Sequence, residues 1–149
     1  MNETPLAAVD TELAGRLRLA VGRLARRLRL EGDSGLPPLQ LSTLVTIELH
    51  GPLRLGELAQ REAVTAPTMS RVLAALDERG AVDRRPDPGD ARSTLVSVSA
   101  AGRDLLATVR TERTASVARR LDRLDPAQRT ALIAALPALE ALVADDLEH

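Results

Sequence analysis

Phenylalanine, tyrosine and tryptophan are absent from all 149 residues, and so are cysteine and lysine. Each absence excludes something. Without a ring there is no platform for a base to stack on, which argues against recognition of RNA or of single strands. Without cysteine there are no disulfides, no thiol redox sensing and no thiolate metal site. No apolar run is long enough and free enough of charge to span a bilayer, and the N-terminus lacks a signal-peptide pattern, so a cytoplasmic protein with no membrane partner is expected. The formal net charge of −1 does not announce nucleic acid. All twenty basic residues are arginine. GC-rich coding accounts for that bias, but its physical consequence stands, because arginine presents a planar fork suited to phosphates and guanine edges. What matters is where the arginines lie, not their sum.

Apolar residues make up 44% of the chain, enough for the core of one domain, and that core must be aliphatic. From about Leu6 to Leu30, apolar residues recur at three- and four-residue steps (Leu13, Leu17, Ala20, Val21, Leu24, Leu28), which predicts a helix. A loop with Gly32-Asp33-Ser34-Gly35 and Pro37-Pro38 follows, then a helix over about 39–49, stopped by His50-Gly51-Pro52. Residues 55–62 form a short helix with Leu58 and Ala59 inward. Thr65 is placed to cap the next helix, with Pro67 in its first turn and Met69, Val72, Leu73 and Leu76 as its buried stripe. Gly80 supplies a left-handed end.

After Gly80 the period changes to two. Residues 82–85 and 94–99 are expected to pair as a hairpin, with Val96 and Val98 on one face. Ser99 caps a long helix over about 100–121. Asp125-Pro126-Ala127-Gln128 is a cap, a first-turn proline and a capping-box glutamine, and starts a last helix that Pro137 is expected to kink. Two short helices and a charged hairpin make a winged helix-turn-helix. The fold class is mainly α with a small β-hairpin, flanked by long N- and C-terminal helices.

The exposed side of the helix starting at Ala66 offers Thr68, Ser70 and Arg71 at its N-terminal end, short polar groups and one fork suited to base edges and phosphates in a major groove. In the loop D-R-R-P-D-P-G-D-A-R at 83–92, Pro86, Pro88 and Gly89 shape the turn and Arg92 projects near its end. A single arginine entering the narrow, electronegative minor groove is a recurring device. Asp90 is repelled by phosphate. Its expected role is to fix the loop's shape, by pairing with Arg84 or Arg92 or by accepting turn N–H bonds.

Residues 53–102 resemble the multiple antibiotic resistance regulator (MarR) family. The stretches that carry the resemblance are L-G-E-L-A at 55–59, T-A-P-T-M-S-R at 65–71, L-D-E-R-G-A-V-D-R at 76–84 and D-P-G-D-A-R-S-T-L-V-S-V-S-A-A-G at 87–102. The flanking helices suit the family's order as well. The resemblance implies one MarR-type domain over 1–149. Its dimerisation helices would occupy about 6–35 and 100–146, its winged helix-turn-helix lobe about 36–99, and 147–149 reads as a tag remnant. It implies a homodimeric regulator, a repressor of a pseudo-palindromic operator, released by a small-molecule effector bound between the first two helices and the fifth. Carried onto this chain, Thr65, Ala66, Thr68, Met69, Ser70 and Arg71 would enter the major groove and Arg92 the minor groove. Arg84 joins them as a DNA-contacting candidate, with Gly89 and Asp90 shaping the wing.

The chain departs from the family pattern in places. Arg54 stands where a Thr or Ser cap is frequent, and a phosphate is within its expected reach. Glu62-Ala63 replaces a common hydrophobic-Gly turn. Ala91 sits where another basic residue is frequent, leaving the wing to Arg92. The missing aromatics remove ring stacking from any effector pocket. His50 reads as a helix-end residue, not a metal ligand. No cofactor or metal is expected, and no nucleophile–base pair, phosphate loop or ligand cluster suggests an enzyme; Asp145-Asp146 reads as a solvated acidic end. The end helices hold apolar stripes too large for so small a lobe to cover, which predicts burial between subunits. The alternative to a regulator is a winged-helix protein-interaction module that does not bind DNA.

Overall fold

The computed structural model describes residues 6–31 and 35–144. The loop residues Gly32, Asp33 and Ser34, the pair Asp145-Asp146 and the tag-like ending 147–149 lie outside the described residues. In chain order the elements are α1 (Leu6–Glu31), α2 (Pro38–His50), β1 (Leu53–Arg54), α3 (Leu55–Arg61), α4 (Ala66–Glu78), β2 (Val82–Asp87), β3 (Asp90–Val98), α5 (Ala100–Leu121) and α6 (Pro126–Ala141). They divide into two compact units. One is the lobe of residues 30–112; the other is built from the described residues up to 29 and from 113 onward. The first half of α5 therefore belongs to the lobe, where Leu106 and Val109 enter the core.

The lobe's core is aliphatic. Leu44, Leu58, Met69, Leu73, Leu76 and Leu106 are buried almost completely. Met69, Val72, Leu73 and Leu76 are spaced to fall on one face of α4, and that face points inward as expected. The expected hairpin is present, but its strands are longer and a third strand joins them. The sheet order is β1-β3-β2, with Leu53 opposite Val96, Arg54 opposite Leu95 and Val82 opposite Val98. Two residues of β1 carry no readable period, so this strand was beyond sequence patterning.

A knot of backbone contacts joins the end of α4 to the start of α5. Gly80 has φ +65 and Gly80 N donates to Asp77 O, while Ala81 N donates to Leu76 O at 3.0 Å. The Ser99 hydroxyl donates to Gly80 O and accepts from Gly102 N, the latter at 3.0 Å, so the expected cap is also a bridge. A Cβ at Gly102 would lie 2.1 Å from Ala81 O, which accounts for a glycine in the first turn of a helix. Across the lobe, Arg110 of α5 grips Glu48 of α2 with both Nη atoms. That contact holds the Glu48 carboxyl below its ordinary range and the Arg110 guanidinium above its own.

In the other unit the Asp125 box forms as expected: Gln128 N donates to Asp125 Oδ1 at 2.8 Å, and Asp125 N to Gln128 Oε1 at 3.1 Å. Arg129 folds back to Asp122 at 2.7 Å and to Leu121 O at 3.0 Å. α6 runs through Pro137 as one helix and has no buried residue. No helix among the described residues is long and apolar enough to cross a membrane.

Candidate nucleic-acid interface

α4 begins where the sequence places it. Thr65 is extended (φ −74, ψ 155), and its hydroxyl accepts from Thr68 N at 3.4 Å and lies 2.9 Å from the Thr68 hydroxyl. Thr65, Ala66, Ser70 and Arg71 are exposed and Thr68 is half-buried. Met69 is 0% exposed. The expectation that it faces DNA is corrected: its position on the helix belongs to the core stripe, and it cannot face outward while α4 is packed.

The turn before α4 contains the departure noted at Glu62-Ala63, and both residues have found a use. Ala63 takes the left-handed backbone, φ +53, that a glycine usually supplies. Glu62 accepts from the Ser42 hydroxyl at 2.6 Å and the Thr46 hydroxyl at 2.5 Å, tying α2 to the turn that sets α4. Its partners lie sixteen and twenty residues away, beyond the reach of local patterning.

The wing is a two-residue turn, Pro88-Gly89, between paired Asp87 and Asp90. Pro86 lies in β2, an edge strand, beside a register shift between Pro86 and Asp87, where a missing N–H is tolerated. Of the roles open to Asp90, acceptance of local donors is the one seen: Oδ1 takes Arg92 N at 3.0 Å and Oδ2 takes the Ser93 hydroxyl at 3.0 Å. Gly89 acts through its N–H, donated to Asp87 Oδ1 at 2.9 Å, with room for a Cβ. Asp87 is a second shape-holding carboxylate, one that sequence reasoning missed. It is 9% exposed and also receives Arg54 Nε on Oδ2 at 2.6 Å. The Gly89 N–H and the Arg54 guanidinium hold the Asp87 carboxyl below the usual range. Asp87 in turn holds Arg54 above its own ordinary value. α3 starts without a side-chain cap from Arg54; instead Glu57 Oε2 accepts Arg54 N at 2.8 Å.

The four candidate arginines of the interface thus fall into two groups. Arg54 is bound to Asp87, and Arg84 is bound to Asp77 of α4 at 2.5 Å. Arg71 and Arg92 are exposed, and no hydrogen bond or ion pair among the described residues holds either guanidinium. Arg54, Arg84 and Arg92 line one crevice of about 590 Å³ between α3 and the wing.

The sequence model of the MarR family matches residues 36–94. The uncharacterized HTH-type transcriptional regulator Mb0904 of Mycobacterium bovis is 44% identical over 135 residues, 90% of this chain and 94% of that one. The HTH-type transcriptional repressor NicR of Pseudomonas putida is 35% identical over 74 residues, 50% of this chain and 47% of that one. A putative transcriptional regulator from Pseudomonas aeruginosa has a similar structure, with a TM-score of 0.71 at 34% identity over 90% of this chain and 95% of that one.

Proposed function

Because the chain belongs to the MarR family of transcriptional regulators and not to a family of enzymes, we propose that it is a cytoplasmic homodimeric repressor. It binds a pseudo-palindromic operator in double-stranded DNA and releases it when a small-molecule effector binds. The observation that carries this reading is that two of the candidate arginines, one on α4 and one on the wing, are unengaged on the same lobe. Arg71 stands on the exposed N-terminal half of α4 and Arg92 at the wing. Thr65, Ala66, Thr68, Ser70 and Arg71 meet the major groove, and Arg92 the minor groove. Arg54 and Arg84, already neutralised within the lobe, hold shape and add at most glancing phosphate contacts. The repressor sense draws on the likeness to NicR.

The homodimer draws on the other unit. Leu13, Leu19, Val21 and Leu24 of α1 and Ile133 and Leu136 of α6 are exposed in the single chain. Val117, Leu121, Leu132, Ile133 and Leu136 line an apolar groove of about 390 Å³ between α5 and α6. Exposed aliphatic surface on this scale marks an interface.

Titration of a fluorescent duplex against salt tests the reading. A dimer using several arginines loses affinity steeply, with a log–log slope of about −0.9 per phosphate contact. Arg92→Ala should weaken binding about tenfold or more while the thermal melt stays unchanged. Salt-independent affinity, or a variant that binds as the wild type does, contradicts it. A protein partner captured in the absence of any DNA binding turns the reading toward an interaction module.

A further inference from the structure

We infer that Arg54 is a wing-positioning residue, acting on DNA through Asp87 and Arg92; the inference rests on the DNA-binding reading above. Arg54 sits where β1 runs into α3, and its backbone is paired with Leu95 of β3. Its side chain crosses to the tip of β2, where Nε and Nη2 both engage Asp87 Oδ2. The other oxygen of Asp87 takes the Gly89 N–H. Asp87 is paired with Asp90, whose carboxylate holds Arg92 N and the Ser93 hydroxyl. A continuous path of polar contacts therefore runs from the start of α3, through the turn, to the backbone of Arg92. Nothing else among the described residues ties the wing tip to a helix by a side-chain bond. Arg84, nearer the base of β2, is tied to Asp77 of α4; beyond that bridge the tip would otherwise rest on its strand pairing alone.

Charge makes the case sharper. Asp87 and Asp90 are two carboxylates on a surface that approaches phosphates, and by Coulomb's law alone each weakens DNA binding. Asp87 has 9% of its surface exposed and is held on both oxygens, so its use is to fix geometry. Arg54 matches that use: its fork supplies two donors to one oxygen from a rigid plane, which an ammonium cannot reproduce.

The two roles open to Arg54 predict opposite results. A phosphate-contacting Arg54 tolerates Arg54→Lys, and Asp87→Asn then binds as well as the wild type or better. A positioning Arg54 does not. Arg54→Lys and Asp87→Asn should each weaken binding to a duplex selected by the wild type about tenfold, and the double variant no more than either alone. In an Arg92→Ala background neither change should weaken binding further, whereas a general loss of stability would act in both backgrounds. Without DNA, amide hydrogen exchange of residues 87–93 should quicken in both single variants while α4 amides keep their protection. Tighter binding by Asp87→Asn, wild-type binding by Arg54→Lys, full additivity with Arg92→Ala, or unchanged wing exchange overturns the inference. If the wild type selects no duplex, the regulator reading fails, and the exchange measurement still decides whether Arg54 holds the wing.

Discussion

Between Leu36 and Val109 the chain covers its own core, whereas the helices on either side leave theirs bare. Every buried apolar side chain among the described residues lies in that interval. Of the large apolar side chains left exposed, only Leu30 and Leu49 belong to the lobe; Leu13, Leu19, Val21, Leu24, Ile133, Leu136, Leu142 and Val143 belong to the other unit. The composition of the two regions is alike, both aliphatic and rich in arginine, so the difference lies in arrangement. The lobe packs α2 and α3 against α4 and closes them with a sheet. The flanking helices instead carry most of their large aliphatic side chains exposed. On the function proposed above, one region is completed within a single copy and the other by a second copy.

The largest expected effect breaks the second half of that comparison. Ile133→Asp together with Leu136→Asp should turn a dimer into a monomer in sedimentation velocity, because each aliphatic side chain contributes about 1.5–3 kcal/mol when buried. A wild-type monomer, or a dimer indifferent to the change, removes the contrast. Next comes the lobe's own core. Leu73→Ala should lower stability in urea by about 2–5 kcal/mol; a loss typical of surface sites means that the lobe is not the self-sufficient part. Gly102→Ala should cost about 1–3 kcal/mol, because its Cβ would press on Ala81 O and Val98 where α4 meets α5. Ala63→Gly runs the other way. Relief of the left-handed alanine should raise stability by about 1 kcal/mol or less, the gain being partly offset by the freer unfolded chain.

The smallest effect expected is none. The folded Asp87 carboxyl ionises below its unfolded value of about 3.9, so what it contributes is present above that value and is lost only as pH falls through the lower, folded one. Wing-amide protection, corrected for the intrinsic exchange rate, should therefore stay level from about pH 8 down to about pH 5. A step within that range assigns the wing's hold to another group.

Much of the lobe was legible because its signals are local. Thr65 caps within three residues of itself, as does the Gly102 bond of Ser99, and the stripe of α4 and the alternation around Val96 read directly from spacing; outside the lobe the Asp125 box is equally local. The features that escaped are non-local. Arg54 meets Asp87 across thirty-three residues, and Glu62 reaches Ser42 and Thr46 on another helix. Among the candidate site residues, Thr65, Ala66, Thr68, Ser70, Arg71 and Arg92 lie on exposed or half-buried positions of the lobe. Arg54 and Arg84 are engaged by carboxylates, and Met69 is in the core. Spacing alone could not separate the free arginines from the bound ones, because that depends on which acids the fold brings near.

Selection of bound duplexes from a random-sequence pool tests the central claim most directly. The account predicts enrichment of one two-fold-symmetric site, its half-sites centred about one helical turn apart, roughly 10–10.5 base pairs, with enrichment lost on replacing Arg71 and Arg92 by alanine. Recovery of no sequence above background, or of the same site by the doubly substituted protein, contradicts it.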